Sequence, residues 1–224
     1  MGIYFNKGLQ TSESFIVGGL LALAGGYLDT YTFFGRGEVF ANAQTGNMVL
    51  VAINIAQKNY HEIFKYIIPI FSFFLGVVIA EFIKHTKKPL KYHWRQYVLA
   101  LEMLVIIGVS FIKTGESANI IANSLVSFVC SLQVESFRKM HSTGFATTMC
   151  TGNLRTTSEN FFHYIVQKDI IYRDKAIRSF SIIILFIVGA IIGTLVTLRF
   201  NSIAILGTIC FLLAAFLFMN KEQL

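Results

Sequence analysis

The sequence predicts an all-α fold, a polytopic membrane helix bundle, and two observations indicate it. The 224 residues are 54% hydrophobic and only 14% charged, whereas a soluble domain carries about 25% charged residues. Several apolar runs reach the roughly 17–25 residues that cross a bilayer, and they suggest about six transmembrane helices. We therefore expect one membrane domain over residues 1–224, with no soluble enzyme module and no cofactor.

The predicted transmembrane helices are the clear apolar segments, which lie at 14–34, 64–84, 97–113, 120–137, 180–199 and 203–219. Two further segments, 39–57 and 145–166, are half polar. The first apolar segment could mimic a signal peptide, but Glu13 stands beside it and the run continues to Phe34. We expect it to be retained as the first helix.

The distribution of Lys and Arg orients these helices. The connection between the second and third helices is basic and should be cytoplasmic; its residues are Lys84, Lys87, Lys88, Lys91 and Arg95. Six crossings then place both termini and the basic 138–179 connection in the cytoplasm as well. Eight crossings would put the positive charges of 168–178 outside, against this rule. The net charge of +7 is therefore attributed to cytoplasmic loops, and no nucleic-acid partner is expected.

An internal repeat is indicated by a tripeptide that occurs twice. Thr45–Asn47 recurs as Thr151–Asn153, 106 positions later. The same offset pairs two acidic residues, Asp29 and Glu135, each near the end of an apolar helix. Because several matches share one offset, we interpret them as the trace of a duplication.

Three crossings in each half would make the repeat inverted, with halves at about 14–113 and 120–219, as in many secondary transporters. The segments 39–57 and 145–166 would then each enter the membrane as a loop plus a short helix and return to the same side. Irregular backbone at membrane depth is tolerated only where it is buried in protein or lines a water-filled cavity. This interpretation predicts a polar cavity near the midplane. Full crossings at both segments would instead give a parallel repeat.

Three stretches resemble a known family: Gly25–Asp29 (GGYLD), Val39–Asn47 (VFANAQTGN) and the second Thr-Gly-Asn at 151–153. Over essentially its whole length, the sequence is similar to the YoaK-like family of small bacterial multi-pass membrane proteins of uncharacterised function. The resemblance implies the same helix bundle and a location in the bacterial plasma membrane. It implies no substrate and no catalytic residue.

Asp29 and Glu135 are the candidates for proton or ion coupling, because an acidic group within a membrane helix is costly and often functional. Two structural alternatives exist for Asp29, which could lie solvated at the interface or accept a hydrogen bond from a backbone amide in the following turn. Glu135 could instead pair with Arg138 one turn later. We expect Glu81 and Glu102 to lie at the interface beside the basic loop, in ion pairs with Lys or Arg.

The repeated tripeptides are the candidate solute-binding elements. Thr45 and Thr151 are suitable N-cap residues, and a short helix that begins at mid-depth would direct its free amides and positive dipole end at a solute. This arrangement favours a small polar or anionic solute. The substrate-binding candidates are Asn42, Gln44, Thr45, Gly46, Asn47, Thr151, Gly152 and Asn153. In the alternative interpretation these polar groups only tie the broken helices together.

Disulfides and metal sites are not expected. The cysteines Cys130, Cys150 and Cys210 form no C-x-x-C pair and no His/Cys cluster. The sequence also lacks a phosphate loop, a nucleophile elbow and an HExxH motif. We therefore expect a protein that is not an enzyme.

Three functions fit these features. The leading hypothesis is a small secondary transporter, or permease, with proton coupling through Asp29 or Glu135. A passive solute channel and a membrane scaffold or assembly factor without flux are the alternatives. The expected partners are the lipid bilayer and a small-molecule solute, and assembly into a homo-oligomer is left open.

Overall fold

A computed structural model describes residues 14–85, 94–140, 143–144 and 150–220. The all-α prediction is confirmed for these residues, apart from one two-residue β-hairpin and a 3₁₀ helix. The helices are α1 (Phe15–Gly35), α2 (Gln44–Ala56), α3 (Tyr60–His85), α4 (Trp94–Ser110), α5 (Glu116–Ser136), α6 (Cys150–Gln167), α7 (Ile170–Phe200) and α8 (Gly207–Asn220). The hairpin pairs β1 (Lys139–Met140) with β2 (Thr143–Gly144), and the 3₁₀ helix (Asn201–Leu206) joins α7 to α8.

Three stretches are long and apolar enough to cross a membrane, namely Tyr60–His85, Glu116–Ser136 and Ile170–Met219. The third contains both α7 and α8. Among the remaining helices, α4 has only 17 residues and α1 contains a buried Asp29. These stretches support a membrane protein, while the count of about six crossings stays a prediction.

Helices α1 and α7 lie side by side and run in the same direction. Gly19 on α1 faces Leu185, and about two turns further along both helices Tyr27 faces Gly193. A Cβ atom at Gly189 would collide with the backbone of Leu23. The glycines of α7 therefore let the two backbones approach closely, as is typical of helix packing in a membrane.

Helices α3 and α5 form a second parallel pair. His61 Nδ1 lies 3.2 Å from Glu116 Oε1 where both helices begin. Lys84 Nζ lies 3.6 Å from Glu135 Oε1 where both helices end. Between these ends, a Cβ atom at Gly76 would collide with α5, so this pair too is closely packed.

Helices α4 and α8 complete the bundle and contact each other. At the start of α4, Arg95 Nε donates to the Ser136 carbonyl at the end of α5 over 2.8 Å, so α4 runs antiparallel to α5. The chain reverses after α7 at Asn201, which has a φ of 52°. Helix α8 then runs back along α1, where the rings of Tyr27 and Phe211 lie 6.3 Å apart. Hence α1, α4 and α7 run one way, and α3, α5 and α8 the other.

The buried core lies between α1, α4, α5 and α8 and includes Leu21, Leu28, Leu99, Ile106, Val126 and Leu212. The outer faces of α3 and α7 expose large apolar side chains, which include Phe71, Phe74, Ile191, Leu195 and Leu198. An apolar outer surface around a core that also contains polar groups is typical of a bundle surrounded by lipid.

Candidate functional site

Arg36 fixes the point at which the chain leaves α1, and its side chain is completely buried. Its guanidinium donates to the carbonyl oxygens of Val109 (3.3 Å), Ile112 (2.8 Å) and Lys113 (3.1 Å) at the end of α4. It also donates to Tyr31 Oη over 2.8 Å. The carbonyl end of a helix carries partial negative charge, which favours a cation there. The sequence analysis missed this residue.

From Arg36 the chain turns back into the bundle. The backbone N–H of Ala41 donates to Thr32 Oγ1 over 3.3 Å, and Ser127 Oγ donates to the Ala41 carbonyl over 2.8 Å. Ser127 lies near the middle of α5, so Ala41 lies about halfway along the bundle. Helix α2 has 13 residues and extends about 20 Å, which returns the chain to the start of α3. This is the loop plus short helix predicted for 39–57.

Asp29 of α1 lies beside this turn, where it contacts Asn42, and its side chain is 5% exposed. Its Oδ1 accepts the backbone N–H of Asn42 at 2.9 Å, and the backbone N–H of Ala43 is a second donor to the same carboxylate. Asp29 is therefore not solvated at an interface, and it takes the place of a cap at the start of α2. Because a carboxylate of the protein already occupies these amides, the argument for an anionic solute at this helix end is weakened.

The predicted N-cap role of the two threonines is wrong. Ala43 occupies the N-cap position of α2, and its side chain makes no capping hydrogen bond. Thr45 lies within the first turn of the helix. Helix α6 already begins at Cys150, so Thr151 is its second residue. Both threonines are exposed. The physical reason at α2 is that Asp29, distant in sequence, binds the amide that precedes the helix.

Asn42 presents an unused polar group at the same place. It is 8% exposed, and neither Oδ1 nor Nδ2 of its side chain has a hydrogen-bond partner within the described part of the chain. A buried amide left in this state costs about 1–3 kcal/mol. The turn at mid-bundle therefore holds a carboxylate and an open amide side by side.

Gln44 and Asn47 are occupied by internal hydrogen bonds. Asn47 is fully buried, its Oδ1 accepts the Phe40 N–H at 3.0 Å, and its Nδ2 donates to the Phe40 carbonyl over 2.6 Å. Gln44 Nε2 donates to Ser127 Oγ over 3.1 Å. Gly46 leaves room for the Phe40 ring, which a Cβ atom would approach to 2.9 Å. These contacts favour the interpretation that the motif ties the loop to α2.

The second motif occupies the corresponding place on α6. Asn153 is 3% exposed, and its counterpart Asn47 on α2 is also buried. Gly152 is exposed. Cys150, at the start of α6, lies within electrostatic range of Asp29. The start of α6 therefore lies near the turn that carries Asp29. The residues 145–149 that lead into this motif lie outside the described residues.

Glu135 is placed differently from Asp29. Its Oε1 accepts from Arg138 Nη1 at 3.1 Å and lies 3.6 Å from Lys84 Nζ. Lys84 also donates to Glu81 over 2.9 Å, so Glu81 pairs with a lysine as expected. These contacts form a network at one end of the bundle, where they join α3 to α5.

The interface position expected for Glu102 is wrong. Its side chain is completely buried in α4. Its partner is Gln133 of α5, whose Nε2 lies 2.8 and 3.1 Å from the two carboxylate oxygens when the amide nitrogen faces them. Arg95, the basic residue nearest in sequence, donates to Ser136 instead. The two helical turns between Arg95 and Glu102 carry the carboxylate about 10 Å into the bundle.

One surface cluster could in principle hold a metal ion. His61, Glu62 and Glu116 each direct a ligand atom to a common point, with all three atoms within 4.8 Å of one another. These side chains are mostly exposed at the start of α3 and α5. Lys65 already lies 3.2 Å from Glu62, so ion pairing accounts for the arrangement.

Comparison with known proteins identifies relatives over most of the chain. The sequence profile of a family described as "Protein of unknown function (DUF1275)" matches residues 17–219. The chain is 30% identical over 185 residues to the "UPF0700 transmembrane protein YoaK" of Bacillus subtilis (strain 168). This alignment covers 79% of this chain and 80% of that protein. No solved structure gives a significant match. These matches confirm the YoaK-like resemblance and support a membrane location.

Proposed function

We propose that this chain, which belongs to the DUF1275 family of proteins of unknown function, is a proton-coupled secondary transporter for a small polar solute. The observation that carries the proposal is the turn at mid-bundle, where Asp29 and the open amide of Asn42 lie together. Buried carboxylates in membrane helices are typical of ion and proton pathways. Broken helices that meet at such a depth are typical of transporter binding sites.

The pattern of helix partners supports an inverted repeat. Under the offset of 106 residues, α5 corresponds to α1, α7 to α3 and α8 to α4. Helix α1 packs against α7 and α8, and α5 packs against the counterparts α3 and α4. The corresponding helices α1 and α5 run in opposite directions. Two interlocked halves of opposite orientation would give this arrangement, with the termini on the cytoplasmic side.

The chemistry of the turn favours a cationic or neutral solute with hydrogen-bond donors. Asp29 supplies negative charge, and Asn42 supplies one acceptor and two donors. Arg36 and Arg95 are directed at carbonyl groups near the ends of α4. A solute amine or hydroxyl could therefore bind the carboxylate and the Asn42 amide together.

The test is flux through the purified full-length protein in liposomes. The probes are methylammonium, choline, neutral amino acids and glycerol, each supplied with and without an inward proton gradient. We expect one of them to accumulate only with the gradient, and Asp29→Asn to abolish this accumulation. The matched control Glu62→Gln removes an exposed carboxylate from the surface and should transport as the unaltered protein does.

Other outcomes separate the alternative functions. Flux that is independent of the proton gradient and is retained in Asp29→Asn would contradict the proposal and favour a passive channel. Absence of flux for all of these probes would contradict it in favour of a scaffold or assembly factor.

A further inference from the structure

We infer that Glu102, rather than Glu135, is the second carboxyl group of the transport cycle and carries the coupling proton, with Gln133 as the residue that positions it. This inference rests on the proposed function, and it identifies the group that links proton movement to the solute site. It starts from Glu102, a buried carboxylate that the sequence analysis placed at the interface.

Within the described residues, Glu102 forms no ion pair with a basic side chain. It is completely buried, as is Leu99 one turn before it. Its partner Gln133 is 2% exposed and carries no charge. An ionised carboxylate with only a neutral partner is costly inside a membrane protein. Ionisation of Glu102 therefore depends on the donor that Gln133 supplies.

Gln133 can accommodate both protonation states of Glu102. With its nitrogen towards the carboxylate, the amide donates to Oε1 and Oε2 over 2.8 and 3.1 Å, which suits the ionised form. After a half turn of the amide, its oxygen takes the same place and accepts the O–H of the protonated form. The pair therefore keeps a hydrogen bond as the proton arrives and leaves, without movement of either helix.

The described residues nearest Glu102 on α5 carry no charge. On α5, Cys130 lies one turn before Gln133 and within electrostatic range of both Glu102 and Asp29 of α1. Glu135 of α5 is paired with Arg138 at the helix end. Neither α8 nor the 3₁₀ helix contributes an acidic or basic residue over 201–220, where Cys210 is the one titratable side chain.

A link between Asp29 and Glu102 gives a mechanism for coupling. Two carboxylates in the low-dielectric interior of one bundle repel each other when both are ionised, even where they are not in contact. A proton on Glu102 removes this repulsion, and so does a cationic or hydrogen-bond-donating solute on Asp29. Binding of the solute at Asp29 therefore favours release of the proton from Glu102. No bond other than O–H is formed or broken, and the proton passes to water on the side that is open.

Glu135 lacks the properties of a coupling group. Arg138, 63% exposed, and Lys84, 46% exposed, lie next to its carboxylate. These two cations and the neighbouring Glu81 carboxylate form one network at the helix end, and they remain there whether or not solute is bound. The repeat thus supplies a matched control, since Glu135→Gln removes a carboxylate without a change at the mid-bundle turn.

The first experiment needs no solute. Infrared spectra of the purified full-length protein in liposomes are recorded from acid to alkaline pH, and the C=O band of a buried protonated carboxyl group is followed. We expect Glu102→Gln to remove this band and Glu135→Gln to retain it. A band that is unchanged in Glu102→Gln would overturn the inference. In Gln133→Leu the C=O band of Glu102 should disappear at a higher pH than in the unaltered protein, because the ionised form of Glu102 loses its charge-assisted donor.

The second experiment follows protons and solute together. Liposomes loaded with a pH-sensitive dye are given the probes named above, and proton entry is compared with exchange of labelled solute in the absence of a gradient. In Glu102→Gln we expect exchange to continue and proton entry to fall by about tenfold or more, equivalent to about 1.4 kcal/mol of lost coupling. Unaltered proton entry would overturn the inference. If the unaltered protein exchanges no probe, the proposed function fails, and the infrared result still decides the role of Glu102.

Discussion

The two halves of the molecule place equivalent acidic residues in opposite surroundings. Asp29 accepts a hydrogen bond from a backbone amide at mid-bundle, and Glu135 contacts Arg138 and Lys84 at a helix end. The arginines that follow α1 and α5 also differ, since Arg36 is completely buried and Arg138 is 63% exposed. Positions that match at the offset of 106 residues therefore need not have the same role. Both acidic residues are buried, at 5% and 8% exposed, and the difference between them lies in their partners, which are backbone amides for Asp29 and cations for Glu135.

The largest expected difference between the halves is in stability. Arg36→Met should lower the free energy of unfolding by roughly 3–5 kcal/mol, because several buried carbonyl groups at the end of α4 lose their donor. Arg138→Met removes an exposed arginine, Lys84 remains beside Glu135, and the loss should be less than about 1 kcal/mol. Thermal or denaturant unfolding in detergent measures both values. Equal losses would contradict the contrast between a buried and an exposed arginine.

The acidic residues should show a smaller difference in the same direction. In Asp29→Ala the buried N–H of Asn42 loses its acceptor, at a cost of about 1–3 kcal/mol. In Glu135→Ala two partly exposed cations lose a partner, which should cost less than about 1 kcal/mol. The same unfolding assay compares them, and Asp29→Asn should recover part of the loss because its carbonyl oxygen still accepts. A greater loss in Glu135→Ala would reverse our assignment of the two acids.

Much of the bundle could be predicted from the sequence, because long apolar runs determine where helices form. The predicted segments 64–84 and 120–137 correspond closely to α3 and α5. Helix α7 begins ten residues before the predicted 180. Its first turns contain Arg173, Lys175 and Arg178, and hydropathy cannot tell a helix that extends into water from a loop.

The contacts of the candidate site depend on a chain reversal that hydropathy does not show. Asp29 binds the N–H of a residue thirteen positions later, and this pairing requires the turn that begins at Arg36. Glu102 was expected beside the basic loop because it is close to Arg95 in sequence. Helical geometry places it inside, and a charge count along the chain cannot distinguish the two positions. The burial of Arg36 gave no signal in composition or spacing.

The smallest effect expected concerns the glycines of the two motifs. Gly152→Ala should stabilise the protein by about 0.5–1 kcal/mol, since Gly disfavours a helix and no described atom lies within 4 Å of the added Cβ. Gly46→Ala should give no such gain, because its Cβ would press on the Phe40 ring at 2.9 Å. The difference between their unfolding midpoints is the readout. A gain of the same size at both positions would show that Phe40 yields without cost.

The central claim is that the two short helices open towards opposite sides of the membrane. The most direct test is labelling by a membrane-impermeant thiol reagent in a chain whose three native cysteines are replaced by serine. Control cysteines at Glu116 and Arg173, exposed at opposite ends of the bundle, identify the two sides. We expect the reagent to label Thr45→Cys when it is added on the side where it labels the cysteine at Glu116. It should label Thr151→Cys when it is added on the side where it labels the cysteine at Arg173. Labelling of both motif positions from the same side would contradict the inverted arrangement and the transport mechanism that depends on it.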